Sequence, residues 1–149
     1  MPTHYRGTAR ETRALDAYIK LMRAADTLGH RVGQRLAAHD LTMGQLGVLE
    51  ALLHLGPMSQ RELGHKLLRS HSNMCTVLDN VERAGWIQRE RSPDDRRVMI
   101  VSLTREGEKL IRRVFPAHAA DIADAMDGMT AEELEQLAAL CKKLGTTAR

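Results

Sequence analysis

The chain has 149 residues, which suits one domain, with or without helical extensions. Hydrophobic content of 43% supports a buried core, but aromatics are only 3%, so that core must be Leu, Ile, Val, Met and Ala. A formal charge of +3 makes the chain only mildly basic, and no apolar run approaches the ~18 residues of a membrane span.

Charge is unevenly placed. Residues 61–113 hold 12 Lys/Arg against 8 Asp/Glu, a balance of +4, and residues 114–149 hold 3 against 6, a balance of −3. Cys75 and Cys141 lack metal-type spacing, and no leader-like segment opens the sequence. No disulfide is expected, and a reducing cytoplasm is the expected compartment.

Residues 1–10 read as a polar arm. From Glu11 to about Ala38, Leu15, Ile19, Met22, Leu28, Val32 and Leu36 fall near helical spacing and predict one long helix. Gly29 and Gly33 lie four apart in it. Either they are tolerated at roughly 1 kcal/mol each against Ala, or they let another helix approach closely.

Three compact helices follow. Thr42-Met43-Gly44-Gln45 has capping-box form, and its helix runs to about Leu55 before Gly56-Pro57. Ser59-Gln60-Arg61-Glu62 is a second box, opening a short helix that ends near Leu67 or Leu68. Ser70 opens a third helix through Ala84, with Gly85 just past its end. Met74, Val77, Leu78 and Val81 form its inward stripe.

The stretch from Arg83 to Gly107 is the most informative. Two short alternating runs flank Pro93-Asp94-Asp95-Arg96-Arg97, which predicts a β-hairpin with two arginines at its tip. Thr104 then caps a long helix to about Asp127, kinked at Pro116 and ended by Gly128. Thr130-Ala131-Glu132-Glu133 is a third box, and a last helix runs to about Leu144 before Gly145.

The fold class is therefore mainly α with a small β-hairpin wing. Residues 39–114 form a winged helix-turn-helix lobe. Residues 1–38 and 115–149 supply helices whose apolar faces that lobe cannot cover. A second copy of the same helices is the simplest cover, which predicts a homodimer.

In the helix pair, the second helix would enter the major groove by its N-terminal end. Its outer face offers Ser70, His71, Ser72, Asn73, Thr76, Asn80 and Arg83, short polar groups suited to phosphates and base edges. Asn73 and Thr76, three apart, are the expected base readers, and Ser70 and Ser72 the expected phosphate ligands. At the hairpin tip, Arg96 and Arg97 could reach minor-groove phosphates or base edges, with Asp95 holding Arg97 by an ion pair. Taken singly, these are also what a solvated helix face and a solvated turn look like. Together they point to double-stranded DNA.

From Leu67 to Gly107 the chain resembles the winged helix-turn-helix of the MarR family of bacterial transcription regulators. The resemblance rests on Ser70 and Ser72, the Val-Glu-Arg-Ala-Gly-Trp-Ile turn into the wing, Asp95 with Arg97, and Leu103-Thr104 with Gly107. The flanking helices fit the family's dimerisation parts, so it covers nearly the whole chain. Two positions depart from the pattern, His71 where Pro is frequent and Thr76 where Arg is frequent, which bears on base preference rather than on DNA binding. The resemblance implies a repressor released from a palindromic operator by a small-molecule effector, often a phenol or an aromatic carboxylate.

Other readings are weaker. A redox regulator would work through Cys75, and an architectural DNA binder would need no effector. The histidines, His30, His39, His54, His65, His71 and His118 among them, show no zinc-protease pattern, and no metal or cofactor is expected. No phosphate loop, nucleophile elbow or carboxylate dyad supports an enzyme.

Overall fold

The computed structural model describes residues 4–67 and 71–147, with His71 and Ser72 described by their backbone alone. Along the chain lie α1 (Ala9–Ala37), α2 (Met43–Leu55), β1 (Met58–Ser59), α3 (Gln60–Leu67) and α4 (His71–Arg83). They are followed by β2 (Ile87–Arg91), β3 (Met99–Leu103), α5 (Arg105–Ala125) and α6 (Ala131–Thr147).

All three expected capping boxes form. At α2, Thr42 Oγ1 accepts from the Gln45 amide at 3.2 Å while Gln45 Oε1 accepts from the Thr42 amide at 3.0 Å. Ser59 with Glu62 and Thr130 with Glu133 repeat the exchange. A fourth box was not foreseen. Thr8 and Glu11 satisfy each other's amides, so α1 starts at Ala9, inside the expected polar arm.

Helix ends depart from expectation in two places. α5 passes through Pro116 but stops at Ala125, ahead of Gly128. α6 runs through Gly145 to Thr147. A glycine stops a helix by turning left-handed, and Gly145 is not among the positive-φ residues. Gly85 does turn, at φ +82°. Its amide donates to the Glu82 carbonyl at 2.9 Å and the Trp86 amide to the Val81 carbonyl at 3.0 Å, the paired bonds that end α4 in a Schellman motif.

The wing is part of a three-stranded antiparallel sheet in the order β1-β3-β2. β2 and β3 pair from Ile87↔Leu103 to Arg91↔Met99, as the alternating runs predict. β1 is a correction to the two-stranded hairpin: Met58 pairs with Val101 and Ser59 with Ile100. Both Met58 and Val101 are buried, so the extra strand anchors the wing's base in the core.

That core is aliphatic, as the composition requires. α2 buries Leu46, Val48, Leu49, Ala51 and Leu52 and lies against α3, α4, α5 and β3. Leu63, Met74, Leu78, Val81, Ile87, Ile111 and Val114 close around it. Each such side chain contributes roughly 1.5–3 kcal/mol. The first and last helices take little part. α1 buries only Val32 and Leu36, and α6 buries none of its side chains. Beyond their own helix, neither Gly29 nor Gly33 has an atom within 4 Å of where a Cβ would stand, so none of the described residues packs on the bare face.

One joint ties the parts together. The Trp86 carbonyl accepts the Thr104 amide at 3.0 Å, and the Gly85 carbonyl accepts the Thr104 hydroxyl at 2.6 Å. The same hydroxyl accepts the Gly107 amide at 3.1 Å and so caps α5. A Cβ on Gly107 would stand 2.0 Å from the Trp86 carbonyl oxygen. Backbone cannot step aside as a flexible side chain does. Gly107→Ala is therefore expected to cost at least 1–3 kcal/mol, the usual range for overpacking, as read from chemical denaturation. A midpoint equal to wild type would show that the joint is loose.

His118 is the buried polar residue of the described core, at 6% exposure. Its ring lies 5.8 Å from that of Phe115. Burial pushes its pKa below the ordinary imidazole value, with Asp121 and Glu50 pulling the other way. The unfolded chain thus binds a proton more readily than the folded one. Stability should fall as pH drops through the ordinary imidazole range near ~6.5. His118→Leu should shrink the loss of Tm between about pH 7.5 and about pH 5.5. An unchanged loss would assign the acid sensitivity to other groups.

Candidate nucleic-acid interface

α4 is amphipathic in the expected register. Met74, Leu78 and Val81 are buried and Val77 is half-buried against the core. Asn73, Thr76, Asn80 and Arg83 lie exposed along the opposite face. Arg83 Nη1 donates to Asn80 Oδ1 at 3.3 Å, which joins the last two of that row. Ser70, expected to cap the helix and hold phosphate, lies outside the described residues. His71 and Ser72 occupy the first turn of α4, the end where helical amides point outward.

The wing tip is built around Asp95. The Val98 amide donates to the Asp95 carbonyl at 3.0 Å and the Ser92 amide to the Val98 carbonyl at 2.8 Å, which closes the turn with Arg96 and Arg97 at its apex. Asp95 Oδ1 accepts the Arg97 amide at 3.0 Å and its Nε at 3.1 Å, and Oδ2 accepts Nη2 at 3.1 Å. The carboxylate thus shapes the turn and aims the guanidinium. These bonds to Arg97 hold the Asp95 carboxyl below the usual carboxylate range. The Arg97 side chain is nonetheless 90% exposed. Arg91 steadies the opposite limb, its Nη1 donating to the Arg96 carbonyl at 2.7 Å. Asp95, Arg96 and Arg97 therefore stand together as the sequence predicts.

The sequence reading missed Arg89. It projects from β2 onto α4, where Nε and Nη2 bind the two Glu82 oxygens at 3.1 and 3.0 Å. Nη2 also donates to Asp79 Oδ1 at 2.6 Å. Only 16% of this side chain is exposed. Its bonds to Glu82, then to Asp79, favour the charged guanidinium further, and Glu82 is held below the usual carboxylate range by the same contact. A signal was available: Asp79 and Glu82 share a helix flank three apart, and Arg89 alternates with Ile87 on one strand face.

Cys75 is half-buried, with Gln60 Nε2 donating to its sulfur at 3.5 Å, and Cys141 is exposed near the C-terminus. Among the described residues, no three His, Cys, Asp or Glu side chains gather as a metal site, and no helix is long and apolar enough to cross a membrane.

A helix pair, a braced second helix and an arginine-tipped sheet define a winged helix-turn-helix protein. Comparison with known proteins gives the same class. Residues 41–99 match the model of the MarR family. The transcriptional regulator MhqR of Bacillus subtilis is 30% identical over 137 residues, spanning 92% of this chain and 94% of the relative. The chain belongs to the MarR family. It is a transcription regulator and not an enzyme. Two solved structures share the fold. AbsC of Streptomyces coelicolor, a MarR family transcriptional regulator, superposes with a TM-score of 0.84 at 24% identity, covering 97% of this chain and 99% of that one. Sco3205 of the same organism, solved in complex with DNA, gives 0.83 at 23% identity, covering 95% and 90%.

Proposed function

We propose that the chain is a homodimeric repressor of a palindromic operator, released by a phenol or aromatic carboxylate that binds between the helical extensions and the winged lobe. One observation carries the DNA-binding core of this reading: Asp95 directs its hydrogen bonds to aiming an exposed Arg97, in a lobe whose second helix presents an exposed polar row. A turn needing only solubility has no use for such an arrangement, since an exposed ion pair adds little stability.

In this reading the lobe is residues 39–114, and residues 1–38 and 115–149 dimerise. The exposed apolar side chains Tyr18, Met22, Ile122, Leu140 and Leu144 on the long helices support that division. Asn73 and Thr76 read bases. Ser70 and Ser72 hold phosphate, and His71, Asn80 and Arg83 complete the DNA-facing set. Arg96 and Arg97 grip the backbone or minor groove. Thr76 cannot make the bidentate contact to guanine that an arginine there would give, so preference at that base shifts.

Four outcomes are expected. Sedimentation at micromolar concentration should give a dimer; a well-folded monomer would remove the basis for palindromic recognition. Arg97→Ala should weaken binding to every duplex and lower the salt slope by about one per protomer, because a phosphate contact is lost. Asp95→Ala should weaken it less. If both variants footprint like wild type, the wing is only a turn. Asn73→Ala should lose about 1–3 kcal/mol of discrimination on a duplex selected from a random pool while keeping its affinity for mixed-sequence DNA. Equal losses on both would place Asn73 on the backbone.

The DNA flanking the chain's own coding region is the first operator to footprint. Release by benzoate or phenol supports the repressor reading. Release by peroxide alone, abolished by Cys75→Ser, would make the chain a redox regulator. Sequence-blind binding with no release would make it architectural.

A further inference from the structure

We propose that Arg89 is a positioning residue for DNA recognition: by bridging β2 to α4 it locks the wing to the reading helix, so that Arg97 and the Asn73–Thr76 row engage one duplex as a single rigid body. This rests on the DNA-binding reading above.

The covalent link between α4 and β2 is short but weak as a brace. Only Ala84, Gly85 and Trp86 separate the two elements, and Gly85 stands in the left-handed region. The joint at Thr104 fixes the base of the wing. As far as the Glu90↔Ile100 pair, β3 is also held by β1; past it only β2 and β3 continue, and two strands alone are marginally stable in water. Past that joint the Arg89 fork links the wing strand to α4 through side chains.

The chemistry suits a brace. The bond to Glu82 is bidentate, which fixes orientation as well as distance, and the third bond reaches one turn back along α4 to Asp79. Three charge-assisted bonds to two residues of one helix leave the strand little freedom to swing. The fork also answers an electrostatic difficulty. Asp79 and Glu82 are anions on a helix meant to approach a polyanion. Arg89 offsets one of the two charges from the side, without occupying the exposed row. An arginine already committed to two carboxylates and 16% exposed is poorly placed to grip phosphate itself.

The test uses the full chain and Arg89→Met. Without DNA, hydrogen exchange should speed up in the wing amides of residues 88–102 and stay unchanged in α2 and α5. Unchanged exchange in the wing overturns the brace whether or not the protein binds DNA. On mixed-sequence duplex, Arg89→Met should weaken binding about tenfold and lower the salt slope, although no proposed DNA-contacting residue has changed. In an Arg97→Ala background the same substitution should cost less than about twofold, because residues acting through one contact are not additive. A full, additive loss would mean that Arg89 touches phosphate directly and would overturn the proposal. Adding Asp79→Asn and Glu82→Gln to Arg89→Met removes the uncovered charges. Binding should stay weak; restored binding would reduce Arg89 to a counter-ion. Arg89→Lys keeps charge but not the fork, and full rescue by it would also overturn the proposal. Glu82→Gln, which leaves the Asp79 bond in place, gives a milder brace defect in the same exchange assay should Arg89→Met fail to fold. If wild type binds neither mixed-sequence nor selected duplex, the DNA-binding reading fails and the positioning role with it.

Discussion

The structure depends on a contact between two pieces of backbone. Gly85 and Trp86 present their carbonyls to Thr104, and Gly107 comes so close that it has no room for a side chain. In that space the end of α4, the base of the wing and the start of α5 are fixed against one another. The register of the sheet follows, since Ile87 and Leu103 lie next to the joint and pair with each other. One threonine serves three purposes there: its amide and hydroxyl bind the preceding turn, and the hydroxyl caps the following helix. The aliphatic core then packs against a frame whose angles are already set.

Much of this was legible because its causes are local. Capping boxes at Thr42, Ser59 and Thr130 need only four residues each, and all form. The wing strands are marked by alternation, and its tip by turn residues. What escaped has other causes. β1 is two residues long and exists only because β3 offers it a partner, so no periodicity could mark it. The start of α1 was hidden because residues 1–10 carry few apolar side chains to mark a helical period, and the Thr8–Glu11 pair lies inside that stretch. The end of α6 was misread because a glycine in a helix is a cost, not a stop. Arg89 reaches 7 and 10 residues back, and such pairings depend on the turn at Gly85 bringing strand and helix side by side.

The same contrast separates two kinds of polar residue in this chain. Arg89 and His118 are largely withdrawn from water and act on structure, one by bridging elements and the other by its place beside Phe115. Asn73, Thr76, Asn80 and Arg97 are exposed, and the core does not depend on them. Substitution in the first group is felt as stability or alignment. In the second it leaves folding almost untouched, which leaves those positions able to vary with what they must recognise.

α5 begins at the Thr104 joint and continues for 21 residues, about 30 Å at the usual helical rise. It is a lever with the wing's base fastened to one end. A tilt of only about 6° at the far end displaces the near end by about 3 Å, close to one base-pair step along a duplex. Anything that reseats the far end of α5 by a few degrees therefore moves the base of the wing by about one base-pair step.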